Sequence, residues 1–327
     1  MREAAFVKQN KDKWSKFESV MSNNIQITPD ELSKLYLEIT DDLSYAQTFY
    51  PKSKTSVYLN ALAQKAHLKI YKTKKESSYR LVSFFTKEFP LFFYKYQKQL
   101  LLAFVVFLVF MLMGALSAGQ EQTFARVILG DTYVDMTRYN MEKGDPMAVY
   151  KQQTQMDMFL GITINNIRVA LMAFILGIFL GIGTVYIVMS NAVMVGAFQY
   201  FFYEHGFFWE SARTIWIHGT IEISVIIVAA CAGLVLGRSI LFPTTYTRLQ
   251  SFIKGMKDGL KIIISTIPFF IIAGFLESFV TRHTEMPDWL AVLIIGLSLA
   301  LILFYYVFYP HYLHKKQINY AGKYKLY

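Results

Sequence analysis

Residues Trp216–Gly237 read WIHGTIEISVIIVAACAGLVLG, long and apolar enough to cross a bilayer, yet His218 and Glu222 lie inside the stretch. An ionisable residue within a spanning helix costs about 2.5–3.5 kcal/mol on insertion scales. A residue kept there faces protein or water and has a task or a partner. His218 and Glu222 are four apart and share one helix face. The span is an apolar rod with a polar stripe, and any fold must turn that stripe away from lipid.

The other apolar blocks set the fold class. A hydrocarbon core about 30 Å thick takes about 20 helical residues. Gln99–Ala118, Val169–Met189, Thr214–Gly237 and Trp289–Tyr309 supply them. Leu260–Val280 also qualifies despite Pro268, because neighbouring helices re-satisfy the backbone group a proline frees. Residues 1–20 have neither the apolar core nor the cleavage site of a signal peptide, so the first span is expected to direct insertion. The single cysteine, Cys231, sits mid-span, which argues against a disulfide framework or a thiolate metal cluster.

Charge orients the spans. Residues 1–98 carry an excess of Lys and Arg, 119–167 hold 4 basic against 6 acidic residues, 238–261 hold 5 against 1, and 310–327 hold 4 against none. The basic segments belong in the cytoplasm, which leaves 119–167 as an outer segment. Spans 99–118 and 169–189 carry the chain out and back. Span 214–237 ends at basic 238–261, so it runs inward and starts outside. Only 191–208, NAVMVGAFQYFFYEHGFF, is available to return the chain outward. Spans 260–280 and 289–309 complete six, and both termini are cytoplasmic. A basic balance beside spans points to anionic lipid headgroups as a partner. No basic-aromatic motif points to nucleic acid.

Residues 1–78 read as a cytoplasmic helical region. Thr28-Pro29-Asp30-Glu31 is a capping box with proline at the first helical position. Leu32, Leu35, Tyr36 and Ile39 follow at helical spacing, Pro51 breaks the run, and a second helix reaches about Tyr71. Lys69, Lys72, Lys74 and Lys75 read as a solvated face. In 79–98, Phe84, Phe85, Phe89, Phe92, Phe93 and Tyr94 are interleaved with Arg80, Lys87, Lys95 and Lys98. That suits an amphipathic helix in the membrane interface, with a packed core helix as the plainer alternative.

The intramembrane polar residues are few. Asn165 and Asn166 open the second span and Asn191 lies at its inner end. Glu204 and His205 end the third span, and Glu277 lies near the outer end of the fifth. If the fourth and fifth spans pack together, His218, Glu222 and Glu277 share an outward-facing pocket, which His205 can join. A register-fixing polar knot, a proton or solute pathway, and a metal or catalytic site are the readings open to such a cluster. His-xxx-Glu is not the His-Glu-x-x-His of zinc proteases. No nucleophile–base pair and no phosphate loop is legible. The chain is therefore read as no enzyme, with no metal and no cofactor. Gly177-xxx-Gly181 and Gly233-xxx-Gly237, with Ala229, Ala230 and Ala232, let helix backbones approach closely, within one bundle or between two copies. Asp131, Tyr133, Asp135, Tyr139 and Tyr150 form a candidate partner face on the outer segment, or a plain connecting loop.

Asn165-Asn166 with glycines below and Asn191 after, HGTIEISVIIVAACAGLVLG over 218–237, IAGFLESFVTR over 272–282, and Phe89-Pro90 together make a recognisable pattern. The chain resembles the stage II sporulation protein M family of bacterial membrane proteins over roughly residues 80–285. The resemblance singles out Asn165, Asn166, Asn191, His218, Gly219, Glu222 and Glu277. It implies a scaffold of the bacterial inner membrane, since the name-giving member works with peptidoglycan-degrading partners in spore formers. The expected fold is all-α, a polytopic membrane bundle of about six spans with a cytoplasmic helical region and an interfacial helix. The expected role is a non-enzymatic scaffold or component of a cell-envelope complex, partnered by other membrane or envelope proteins, with a homodimer left open. A transport or permease subunit using the His218, Glu222 and Glu277 pocket is the alternative. A reporter fused after Tyr327 tests the topology: activity is expected from a cytoplasm-only reporter, and an externally active one refutes six spans.

Overall fold

The structure, a computed structural model, describes residues 1–21, 28–70, 79–121, 123–148, 154–283 and 286–324. Most of the described residues are helical, with no strand among them. Lys72, Lys74, Lys75 and Tyr150 lie outside them. The chain divides into two units, Met1–Arg80 and Leu81–Tyr327.

The first unit holds three helices, Glu3–Met21, Pro29–Phe49 and Lys54–Ile70. The capping box forms as its sequence dictates. Thr28 Oγ1 accepts from the Glu31 backbone, and the Glu31 carboxylate accepts from the Thr28 backbone. Phe6, Trp14, Phe17, Ile39, Leu59 and Leu62 bury a shared core. Trp14 Nε1 donates to Asp42 Oδ2 at 2.8 Å, and Lys13 pairs with the same carboxylate at 2.5 Å. Glu3–Met21 lies in the region read as helical, but the sequence reading sets no bounds for it. Its apolar residues are sparse among charges, so periodicity alone gives it little weight.

The second unit contains six helices long and apolar enough to cross a membrane: Arg80–Gln120, Gln155–Ile178, Ile182–Glu204, Phe208–Leu241, Arg248–Val280 and Asp288–Ile318. We call them the first to sixth long helices. The fourth is the axis of the bundle. It touches all five others, and its apolar window is 78% buried against 17–50% for the rest. Near-total enclosure needs a slim helix, and Ala229, Ala230, Ala232 and Gly233 supply one, each buried.

Several boundaries differ from the sequence reading; the fifth helix, for one, starts at Arg248 rather than 260. The second span was placed at 169–189 and the third at 191–208, with no room for a turn between them. The helices are instead Gln155–Ile178 and Ile182–Glu204. The reversal is at Phe179–Gly181, where Leu180 has φ 56° and Gly181 φ 87°. Glycine takes the left-handed conformation without the Cβ clash that penalises other residues, so Gly181 caps the start of the third helix rather than lining a span. The outer segment placed at 119–167 contracts to the connection between Gln120 and Gln155, which contains the short helices Phe124–Leu129 and Asp131–Glu142. The proposed interfacial segment 79–98 is continuous with the first long helix. Phe89 and Phe93 are buried in the main core and pack on Tyr306 with ring centroids 6.0 and 5.6 Å apart.

Local irregularities of the long helices are matched by tyrosines. The first has a wide π turn at Phe84–Glu88 and the sixth another at Phe304–Phe308. Such turns disturb the ordinary i to i−4 pattern. Tyr305 and Tyr309 donate to the carbonyls of Phe85 and Thr86 at 3.0 and 2.7 Å. Tyr306 donates to the Ser265 carbonyl at 3.0 Å, within the turn that Pro268 disrupts in the fifth helix. On another side of the bundle, Lys95 and Tyr96 both hydrogen-bond to Asp258 Oδ2, the lysine at 2.8 Å. Asp258 is buried, and the ammonium offsets its charge.

The glycines named from sequence meet one another inside the chain. A Cβ on Gly177 would lie 2.3 Å from the Gly233 carbonyl oxygen, and one on Gly237 2.4 Å from Gly181 N. Sequence reasoning missed a second close approach. A Cβ on Gly196 would lie 2.0 Å from the Met111 carbonyl oxygen, joining the third helix to the first. Gly177→Ala and Gly196→Ala are expected to lower stability in detergent by about 1–3 kcal/mol through overpacking. Gly161→Ala, which meets nothing within 4 Å, is the control. Thermal unfolding of the three variants checks the difference, and three equal midpoints would refute it.

Candidate functional site

The site grows out of the axial helix. Its Gly/Ala half lets neighbours close in, and this brings the fifth helix against the fourth. The fifth ends in a wide turn, Leu276–Val280, that contains Glu277. Thr281 closes that turn, its N–H donating to the Leu276 carbonyl at 2.9 Å and its hydroxyl to the same carbonyl at 3.1 Å. His218 Nδ1 lies 3.0 Å from Thr281 Oγ1. With the hydroxyl proton on Leu276, the threonine accepts, so Nδ1 carries the imidazole proton. His218 Nε2 then faces Glu277 Oε1 at 3.8 Å.

His218, Glu222 and Glu277 each offer one ligand atom, all within 4.8 Å of one another. They line a pocket of about 330 Å³ together with Gly219, Gln199 and Tyr133. Its rim includes Met194, which is 44% exposed, so the cluster is not sealed inside the bundle. A Cβ on Gly219 would meet only side chains of its own helix, at 3.6 and 3.8 Å, so its missing side chain leaves pocket space. Asn166 is 5% exposed and neighbours Glu222. Its side chain hydrogen-bonds to the Glu222 carboxylate, whereas the Gln199 Nε2 on the pocket wall has no hydrogen-bond partner. Tyr133 comes from the Asp131–Glu142 helix. Burial pushes its phenol up to about 12, so it is a neutral wall at physiological pH.

The remaining named residues separate from this group. His205 is not in the cluster. It ends the third helix, lies 2.8 Å from the Phe201 carbonyl, and borders a smaller pocket of about 150 Å³ with Arg126 and Arg138. Asn165 is exposed while Asn166 is buried, because neighbours on a helix point about 100° apart. Asn191 falls inside the third helix rather than at the inner end of the second, and its Nδ2 donates to the Ile187 carbonyl at 2.8 Å. The intended partner face is divided. Arg126 holds Asp131 at 3.1 Å and Asp135 at 2.6 Å, and the guanidinium keeps Asp135 below the usual carboxylate range. Tyr139 stays exposed under Lys143, whose Nζ is 4.1 Å from the ring centroid. Thr281, Gln199 and Tyr133 were not expected at the site. Threonine and glutamine near a span end carry no motif, and Tyr133 arrives from a separate helix.

The pocket residues fall in the part of the chain that comparison with known proteins identifies. The family model for stage II sporulation protein M matches residues 103–282, more than half of the chain. The chain belongs to the stage II sporulation protein M family. His218, Glu222 and Glu277 all lie within the matched region. Residues 4–72 match a domain of unknown function, DUF8413. An uncharacterized protein of Methanocaldococcus jannaschii, MJ0706, is 24% identical over 156 residues, covering 47% of this chain and 68% of that one. No solved structure matches. The protein is thus a membrane protein of this family.

Thr281→Val keeps the shape of the side chain and removes the oxygen that His218 Nδ1 meets. It is expected to cost about 1–3 kcal/mol, the penalty for orphaning a buried donor, with Thr281→Ser close to wild type. Chemical or thermal unfolding of the two variants decides, and equal losses would show that packing, not the hydrogen bond, sets the effect.

Proposed function

We propose that this protein is a transport-class membrane subunit that works through the pocket around His218, Glu222 and Glu277. The single observation behind this reading is that the polar cluster borders open space of about 330 Å³ instead of being closed into a knot. A knot that only fixes helix register satisfies its own hydrogen bonds, because buried unsatisfied groups cost free energy. Here Gln199 keeps an unpartnered amide nitrogen on the pocket wall. Polar and ionisable side chains inside a membrane bundle commonly mark solute, ion or proton paths. Gly219 supports the same reading, since any larger residue there would intrude on the pocket.

A scaffold role is the second reading, and the N-terminal unit favours it. That unit has a core of its own and shows large apolar side chains outward, among them Leu37 at 63%, Val57 at 71% and Leu68 at 62% exposure. Such residues suit a docking partner, which would make the protein a component of a cell-envelope complex in the bacterial inner membrane, with both termini cytoplasmic.

Gentle purification from native membranes, followed by weighing the intact complex, separates the two. Transport predicts a monomer or homo-oligomer carrying a small molecule or lipid, and Gly219→Leu should displace that mass without unfolding the protein. A stoichiometric second protein, with nothing bound in the bundle and no effect of Gly219→Leu, would overturn the transport reading in favour of the scaffold.

A further inference from the structure

The cluster contains two carboxylic groups and one imidazole in a membrane bundle, and no Lys or Arg lines the pocket with them. Two acidic groups brought within 4.8 Å of each other and of His218 make a strongly electron-rich spot in low dielectric, where an unpaired charge is costly. Something positive belongs between them. The imidazole is set up to share it. Its Nδ1 is held by Thr281, which in turn is anchored to the Leu276 carbonyl. That outer hydrogen bond fixes the tautomer and turns the Nε2 lone pair inward, as it does for histidines that bind metal ions.

The spacing suits an ion better than a direct contact. At 3.8 Å, His218 Nε2 and Glu277 Oε1 are too far apart for a hydrogen bond. Two ligands on a tetrahedral zinc, with bonds of about 2.1 Å, lie about 3.4 Å apart, so a small inward movement of the side chains closes the gap. An independent observation comes from the second helix. Asn166, 5% exposed, supplies a side-chain hydrogen bond to Glu222. A carboxylate that binds an ion through one oxygen presents the other to such a donor, and these outer bonds orient metal ligands.

We propose that His218 Nε2, Glu222 and Glu277 bind a divalent transition-metal ion of the zinc class, with its remaining position open to the pocket beneath Gly219. One nitrogen and two carboxylate oxygens are ligands this class accepts, and three protein ligands with an open position distinguish working sites from closed structural ones. The inference rests on reading the pocket as the working part of the protein. It adds what the pocket holds.

The test uses the full chain in detergent, stripped with EDTA, re-equilibrated with Zn²⁺ and freed of excess metal. Plasma mass spectrometry should find about one zinc more per chain in the wild type than in His218→Ala, Glu222→Gln or Glu277→Gln. Co²⁺ in place of Zn²⁺ should give visible d–d bands in the wild type that the three variants lose. Histidines elsewhere contribute equally to all four proteins and cancel. Equal zinc content in wild type and folded variants overturns the site. The wild type alone provides a readout that no variant can spoil: Zn²⁺ should raise its thermal midpoint where Mg²⁺ does not, and no shift at saturating Zn²⁺ also overturns the proposal. A pocket that carries a solute but no metal would leave the transport reading standing and remove only this one.

Discussion

Everything in the bundle depends on how closely other helices can approach one slim rod. Between Ala229 and Gly237 the fourth long helix has little side chain to hold its neighbours off, and Gly177 and Gly233 meet almost backbone to backbone. Lipid supplies no hydrophobic drive between helices, so dispersion contacts at short range do the work. Close approach in that half fixes the angle at which the other half meets its neighbours. His218 and Glu222 therefore sit at the centre of the bundle and not on its lipid face.

Close packing also forces each irregularity to be answered. The wide turns at Phe84–Glu88 and Phe304–Phe308 lie opposite each other, and Tyr305 and Tyr309 reach from the second to the first. Tyr306 ties the sixth helix to the fifth through the Ser265 carbonyl. In a hydrocarbon environment an unanswered carbonyl costs several kcal/mol, which explains the tyrosine run in an otherwise aliphatic helix. The third wide turn, Leu276–Val280, differs. Its repair comes from Thr281 of the same helix, and that repair is what holds His218. A backbone irregularity and a functional side chain are thereby mechanically linked.

Much of this was legible in the chain itself. Apolar block length and charge parity demanded a helix between 190 and 213, and Ile182–Glu204 supplies one that overlaps the expected 191–208 but starts earlier. The spacing of His218 and Glu222 put both on one face, and the fourth and fifth helices do bring Glu277 to them. What the sequence hid has physical reasons. The turn at Phe179–Gly181 is made by three residues as apolar as their surroundings, so hydropathy passes straight over it and the second span slides toward the C-terminus. His205 resembles a cluster member by depth alone, but at a helix end its ring turns back onto Phe201. Tyr133 and Gln199 reach the pocket through tertiary packing that no local period encodes.

The contrast between Asp258 and the Glu222–Glu277 pair shows why the pocket, and not every intramembrane charge, carries the functional argument. Asp258 is buried, but Lys95 and Tyr96 complete it from the first helix, so its chemistry is spent on joining two helices. Glu222 and Glu277 lie half-buried beside each other, and their pocket offers one imidazole and no Lys or Arg. A protein that needed only helix register had the Asp258 solution at hand. Two acids grouped around a single imidazole, with no Lys or Arg to offset them, cost stability, and such a cost is retained where the group acts on something that arrives. That asymmetry within one bundle, more than the presence of charge in the membrane, favours an occupant for the pocket.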